Sequence, residues 1–333
     1  MANPYSQLKV GVIGVGRMGA RHCRVYSNMR KVHLFGVSDK SPEIGVKVAR
    51  MYDVPYFRDP EELLAQVDAV SLAVPTPLHY DQAMNCIQHG VNVLIEKPIA
   101  ETVEQAEKLV KAAEESKVVV TIGHIERYNP AYIELKNVVE SMEVITFDMR
   151  RLSPFEGSNK DVDVVLDLMI HDTNLVLDLV GKDPVSMHAH GLKVFSENLD
   201  HASATLSFPN NVLVTMTASR ITEQKVRQLN VACRNAYLEC DLLNKSILVN
   251  RSTIGEYQNS NNRGVKYRQE SVVEKIFIPG YEPLMLELQN FVECVMGECR
   301  TEVTARDGLR ALKLATAIRD SCLSQLTEQN VLM

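Results

Sequence analysis

Two groups of residues have the types and spacing for chemistry. Gly14-Val15-Gly16-Arg17-Met18-Gly19 follows the apolar run Leu8 to Ile13 and precedes an amphipathic stretch. That is the context in which G-x-G-x-x-G binds a dinucleotide pyrophosphate. Gly14 permits a tight turn, Gly16 lets the backbone approach the phosphates, and Gly19 lets helix and strand pack closely. Arg17 and Met18 complete the loop at the helix N-terminus, whose free N–H groups and partial positive charge suit phosphate. Asp39 follows Gly19 by twenty positions. A carboxylate there accepts hydrogen bonds from the adenosine ribose and repels a 2′-phosphate, which favours NAD, while Lys40 beside it keeps NADP open. Without strand, helix and acid in register, the same glycines would read as a turn beside a surface aspartate. The second group is Asp167 and His171, within Leu166-Asp167-Leu168-Met169-Ile170-His171-Asp172. Four apart on a helix, they share a face. The apolar residues between them point to a largely buried helix, where a carboxylate and an imidazole are costly unless paired or functional. A surface pair in i,i+4 contact is the alternative.

The elements that must position these groups follow from periodicity. The N-terminal third alternates strands (Leu8 to Ile13, Val32 to Ser38, Val54 to Phe57, Ala69 to Ala73, Asn92 to Glu96, Val118 to Ile122) with helices. The helices are Met18 to Met29, Pro42 to Tyr52, Pro60 to Gln66, His79 to His89 and Thr102 to Ser116. This alternation implies parallel β-α-β units and an α/β fold with a doubly wound Rossmann sheet. After a helix from Pro130 to Ser141 the pattern changes to runs suited to antiparallel strands: Val144 to Leu152, Val185 to Val194, Ala202 to Phe208, Val212 to Ala218, Gln228 to Val231, Ala236 to Cys240, Ser246 to Val249 and Ser271 to Ile278. Pro209-Asn210-Asn211 marks a turn. One helix, Val164 to Val180, interrupts the series, Asn259 to Gly264 is a polar loop, and helices Pro283 to Met296 and Ala305 to Leu323 close the chain. The expected organisation is a Rossmann domain over 1–123. An α+β domain over 124–333 has a large, mainly antiparallel sheet, and its last helices could pack back on the first domain.

Composition narrows the function classes. The chain has 333 residues, enough for two domains, with 45% hydrophobic and 23% charged residues. A formal net charge of -6 argues against a nucleic-acid partner. The seven cysteines, Cys23, Cys86, Cys233, Cys240, Cys294, Cys299 and Cys322, form no C-x-x-C pair. They read as free buried thiols of a cytoplasmic protein, not as a disulfide frame or a metal site. No signal segment or membrane span is visible.

Further motifs resemble those of the glucose–fructose oxidoreductase and inositol dehydrogenase family, the Gfo/Idh/MocA family. They are Ala73-Val74-Pro75-Thr76-Pro77-Leu78-His79, Val93-Leu94-Ile95-Glu96-Lys97-Pro98, Gly123-His124-Ile125-Glu126-Arg127-Tyr128-Asn129-Pro130 and Asp307-Gly308-Leu309-Arg310-Ala311. The resemblance covers nearly the whole chain, and Glu-Lys-Pro behind a βαβ pattern is its most specific part. It implies that Pro75, Thr76 and His79 line the cofactor, that Glu96 contacts it near the nicotinamide half, and that Lys97 is the active-site lysine, with Lys97–Pro98 expected to be cis. A lysine at a strand end lies where ligands bind in open α/β sheets, and its ammonium can stabilise developing alkoxide charge. The resemblance also makes His171 the acid/base, a task that suits imidazole, with Asp167 beside it. Many relatives carry aspartate where this chain has Asn174, a position on the substrate side.

These expectations combine into reversible dehydrogenation of a sugar secondary alcohol with NAD. His171 removes the hydroxyl proton, Lys97 holds the same oxygen, and Asp167 orients His171 or a substrate hydroxyl. Arg127 and Asn174 are further candidates for substrate contact, and His124 could reach the cleft. Arg150, Arg151 and Lys160 could meet an anionic substrate, though isolated basic residues are usually solvated. His22, His188, His190 and His201 read as structural or surface groups. The segments His124 to Pro130 and Arg150 to Asp172 are similar to members of the UDP-N-acetylglucosamine 3-dehydrogenase type, which act on nucleotide-activated amino sugars. An inositol or free-sugar dehydrogenase, and a non-catalytic NAD-binding regulator on the same fold, remain open. A homodimer or homotetramer through the broad second sheet is expected.

Overall fold

The computed structural model describes residues 7–157, 161–258 and 265–331. The loop expected at Asn259 to Gly264, and Lys160, lie outside the described residues. The chain divides into two compact units. One gathers Met1–Tyr128 with Tyr281–Lys313, and the other Asn129–Gly280 with Leu314–Met333. The division thus falls after Tyr128 and not at Gly123. His124 to Tyr128 belong to the first unit because they continue directly from the last strand of its sheet.

That sheet contains β1 (Leu8–Ile13), β2 (Val32–Ser38), β3 (Tyr56–Phe57), β4 (Ala69–Leu72), β5 (Asn92–Glu96) and β6 (Val120–Gly123). All pair in parallel, in the order β3-β2-β1-β4-β5-β6. The order reverses between β1 and β4, so the loops leaving these two strands frame the crevice where such sheets bind ligands. The connecting helices are α1 (Arg17–Tyr26), α2 (Pro42–Tyr52), α3 (Pro60–Leu64), α4 (His79–Gln88) and α5 (Val103–Glu115). Their starts carry local signals: Ser41 and Asp59 cap α2 and α3 before a proline, and Thr102 with Gln105 forms a reciprocal capping box on α5. Helix α1 stops at Tyr26, three residues short of the expected end, and the side chain of Asn28 donates to the Arg24 carbonyl as the helix ends.

The second unit starts with α6 (Pro130–Val139) and β7 (Val144–Leu152). A π-helical segment (Val165–Met169) runs straight into α7 (Ile170–Val180). Strands β8 (Ser186–Leu192), β9 (His201–Ser207), β10 (Leu213–Ser219), β11 (Val226–Cys233), β12 (Ala236–Asp241), β13 (Ser246–Gln258) and β14 (Val265–Ile276) follow. The eight-stranded sheet runs β14-β13-β12-β11-β7-β10-β9-β8, antiparallel except for the β7–β10 pair. Residues on one face, such as Phe147, Met149, Ala204, Val214, Met216, Leu229 and Val231, are buried. Thr146, Asp148, Thr215 and Thr217 alternate with them and stay half-exposed. The turn signal at Pro209 to Asn211 is a turn, with Asn211 at φ 60.

The chain then returns to the first unit as α8 (Pro283–Val295). Leu284, Leu288, Phe291 and Val292 join the core formed by Val12, Cys23, Tyr26 and Val37. Helix α9 (Ala305–Val331) starts in this unit, where Thr304 and Asp307 cap each other's backbone N–H groups. It extends past the expected end at Leu323. No helix among the described residues is long and apolar enough to cross a membrane. All seven cysteines are free, and six are buried; Cys299 is exposed, because it sits in the turn after α8.

Candidate active site

In the first unit, a cleft of about 1050 Å³ opens at the reversal point of the sheet. Its walls include Gly14, Gly16, Met18, Asp39, Lys40, Arg58 and Pro75. Gly14 sits at φ +82, and a Cβ there would stand 2.7 Å from the Val74 nitrogen, so no other residue fits without strain. A Cβ on Gly19 would come within 1.9 Å of the Gly14 carbonyl oxygen, whereas one on Gly16 would meet nothing within 4 Å. The Gly16 backbone therefore faces open space at the N-terminus of α1, where N–H groups suit a phosphate. Asp39 is fixed from both sides, since Oδ2 accepts from Val15 N and Oδ1 from Ser41 N, each at 2.8 Å. A carboxylate has about four acceptor sites, so these two bonds orient Asp39 and leave capacity for ribose hydroxyls. A glycine cradle and an oriented acid on one cleft fit a dinucleotide. Arg17 is exposed at the first position of α1.

Lys97 follows the last residue of β5, half-buried, and the Lys97–Pro98 bond is cis as expected. Its backbone N–H donates to Glu96 Oε2 at 3.2 Å, and Glu96 Oε1 lies 3.0 Å from Nε2 of the buried His22. Burial raises the Glu96 carboxyl, but His22 and Lys97 outweigh this and hold it below the usual range. His79 and Thr76 do not line the cleft. The ring of His79, buried, lies between the carbonyls of Pro98 (2.7 Å) and Val74 (2.8 Å), tying the two loops together. His124 is buried with neither ring nitrogen hydrogen-bonded among the described residues. Burial, then the charges of Lys97 and Arg127, push its pKa down to about 3, so it is a neutral imidazole. Arg127 is also buried and donates to the Glu302 carbonyl and to its carboxylate at 3.0 Å. It is held in an ion pair within the first unit.

The second unit carries Asp167 and His171. The expected single α-helix from Val164 is instead a π-helical turn followed by α7. Such a segment has i→i+5 bonds and a wider turn, and is frequent at functional sites. Asp163 fixes its start, with Oδ1 accepting from Val165 N and Leu166 N at 2.9 and 3.0 Å. Val164, Val165, Met169 and Ile170 are fully buried, while Asp167 and His171 are half-exposed. Next to His171, Asp172 is buried and takes a bidentate bond from Arg151 (Nε to Oδ2 3.0 Å, Nη2 to Oδ1 2.7 Å). Arg151 is thus an internal partner and not a substrate cation, whereas Arg150 is exposed. A second buried pair, Arg220 with Asp200 at 2.6 Å, also reaches the Val162 carbonyl just before Asp163. Burial raises the Asp200 carboxyl, but N–H bonds from Val194, Phe195 and Ser196 together with Arg220 bring it well below the normal range. Asn174 is buried, and its Oδ1 has no hydrogen-bond partner among the described residues. His188 and His190 are exposed on β8.

Sequence reasoning missed Asp163, the Asp200–Arg220 pair and Glu287. Glu287 could have been found. It interrupts the apolar face of α8 between Leu284 and Leu288, and is fully buried. His22, Glu96 and Glu287 are also the only group among the described residues whose His, Cys, Asp or Glu ligand atoms cluster with metal-like spacing, all within 4.8 Å.

Comparison with known proteins matches this arrangement. Residues 8–124 fit the model of an oxidoreductase family with an NAD-binding Rossmann fold, and residues 144–239 fit the Gfo/Idh/MocA C-terminal domain. A UDP-N-acetylglucosamine 3-dehydrogenase from Acidithiobacillus ferrooxidans is 30% identical over 312 residues, covering 94% of this chain and 96% of that protein. Its solved structure superposes with a TM-score of 0.85 over 95% of this chain and 97% of that one. An inositol 2-dehydrogenase from Burkholderia lata is 27% identical, covering 93% of this chain and 92% of that protein. A myo-inositol 2-dehydrogenase structure from Lactobacillus plantarum, 20% identical with TM-score 0.79 over 96% and 98% of the two chains, shares the fold. With both of its domain models matched and the glycine cradle, Asp39 and Glu96-Lys97-Pro98 in place, the chain belongs to the Gfo/Idh/MocA family of NAD-binding oxidoreductases.

Proposed function

We propose that the chain dehydrogenates a secondary alcohol of a nucleotide-activated amino sugar with NAD, UDP-N-acetylglucosamine at C3 being the first candidate. The observation that carries this reading is the 30% identity to a UDP-N-acetylglucosamine 3-dehydrogenase along nearly the whole chain. The cleft at Gly14, Gly16, Gly19 and Asp39 holds the cofactor, which when bound supplies the two-electron acceptor. His171 takes the hydroxyl proton, a general-base task to which an imidazole is suited. The Lys97 ammonium hydrogen-bonds the reacting oxygen and stabilises its developing negative charge. Asp167 orients His171, and the buried Arg151–Asp172 pair fixes the adjoining turn of α7. In the reverse direction His171 returns the proton.

The test is NADH formation with UDP-N-acetylglucosamine, its uronate and inositols offered separately. Turnover with the nucleotide sugars alone supports the proposal. Turnover with inositols alone selects the second reading, favoured by the 27% identical inositol 2-dehydrogenase, and NAD binding without turnover selects a regulator. The proposed assembly is a homodimer or homotetramer through the eight-stranded sheet, supported by its broad half-exposed face. A monomeric mass by light scattering contradicts that assembly.

A further inference from the structure

Glu287 stands out as a buried titratable group that the proposed mechanism does not use. It comes from α8, projects between Leu284 and Leu288, and is fully buried. Neither of its carboxyl oxygens has a hydrogen-bond partner among the described residues, and the same holds for His22 Nδ1. One Glu287 oxygen lies within 4.8 Å of both a Glu96 oxygen and a His22 ring nitrogen. The other titratable groups that face it are Tyr26, on α1 beside His22, and Tyr128, in the turn after β6. None of these four side chains is a lysine or arginine. A carboxylate buried without a counter-charge is costly, and such a group keeps its proton. Burial first, then the neighbouring Glu96 charge, raises the Glu287 carboxyl well above its ordinary value.

The proton has an evident use. Glu96 Oε1 is bonded to His22, and Glu96 Oε2 accepts the backbone N–H of Lys97. Whatever fixes the Glu96 carboxylate therefore fixes the start of the Lys97 segment. We propose that Glu287 is a positioning residue, a buried carboxylic acid whose O–H donates a hydrogen bond to the His22–Glu96 pair and so holds Glu96 and Lys97 in place at the end of β5. A short side-chain adjustment or one bridging water would span the remaining distance. The proton network is preferred to a metal centre because His22 and Glu96 are already joined directly at 3.0 Å. The functional half of this inference rests on the reading that the neighbouring cleft holds a nicotinamide dinucleotide and that Lys97 serves the reaction.

Two measurements test it. Infrared spectroscopy of the cofactor-free protein at neutral pH should show a protonated-carboxyl C=O stretch that E287Q removes. No such band, or a band unchanged in E287Q, overturns the proposal whether or not the cofactor reading holds. Second, NADH affinity and turnover of the wild type should fall on the alkaline side as Glu287 ionises beside Glu96, while E287Q should lose this limb. Coincident pH profiles overturn the positioning role. E287A should weaken turnover about tenfold, the order of one lost buried hydrogen bond, and E287Q should restore most of it. A stoichiometric metal ion in the purified protein that E287Q releases overturns the proton network in favour of a metal centre. Failure of every variant and of the wild type to bind NADH would instead refute the cofactor reading, leaving the infrared result to decide the protonation of Glu287.

Discussion

The two units prepare their chemistry by different means. In the first, the proposed phosphate cradle is built from main chain: the glycines present backbone at the end of β1, and even Asp39 is oriented by two backbone N–H groups. In the second, the proposed reacting groups are side chains on a helix whose start deviates from α geometry, with buried Arg151–Asp172 and Arg220–Asp200 pairs beside it. The two units should therefore tolerate substitution differently. A backbone site fails by steric intrusion, one glycine at a time. A side-chain site fails either by loss of the reacting group or by loss of the buried charges that fix the surrounding backbone.

The sharpest expected separation is in turnover. Replacing His171 by Ala should lower kcat by ~10²–10⁴-fold, the usual contribution of a general acid–base group, in a steady-state assay with the fold intact by circular dichroism. The Asp200→Ala variant should break the second unit in another way. It strands Arg220 in the interior, and loss of one partner of a buried pair costs about 3–5 kcal/mol, read as a lower urea midpoint. A midpoint unchanged from wild type would show that this pair does not hold the segment around Val162 and Asp163.

Within the first unit, His124 provides a pH test. Its folded pKa is about 3, below the ~6.5 of an unfolded histidine. Between those values the unfolded chain binds a proton that the native state does not, so stability is present above pH ~6.5 and is lost as pH falls toward 3. His124→Gln should be less sensitive to acid, by about 3 kcal/mol at pH 4, measured as the difference in denaturant stability between pH 7 and pH 4. The smallest effect is on cofactor choice. Lys40, Ser41 and Arg58 line the cleft beside Asp39, so Asp39→Ser should raise the preference for NADP about tenfold, equivalent to ~1.4 kcal/mol, in parallel NADH and NADPH titrations.

This contrast also explains what could be read from the sequence. The glycine cradle, Asp39 and Glu96-Lys97-Pro98 are local motifs on elements of regular period, and their placement follows from the parallel sheet. The strands of the second sheet were also legible, although Gln228 to Val231 proved to be only the centre of β11 and Ser246 to Val249 only the start of β13. The buried polar contacts were not. Arg151 finds Asp172 across 21 residues and Asp200 finds Arg220 across 20, so their pairing depends on tertiary packing that no local period encodes. The π turn at Val165–Met169 was hidden for a related reason, since its sequence is an ordinary apolar helix stretch. Arg127 looked like an open cation because Glu302 lies 175 residues away.

The proposed arrangement, a backbone-built cofactor cleft serving a histidine-driven dehydrogenation, can be probed most directly by measuring NADH affinity and turnover together in Gly16→Ala and His171→Ala. A methyl on Gly16 would project into the open cleft without touching protein. This arrangement predicts a stable Gly16→Ala protein that loses NADH affinity and turnover together, and a His171→Ala protein that binds NADH like the wild type yet turns over at least ~10²-fold more slowly. Full turnover in His171→Ala, or wild-type NADH affinity in Gly16→Ala, would contradict it.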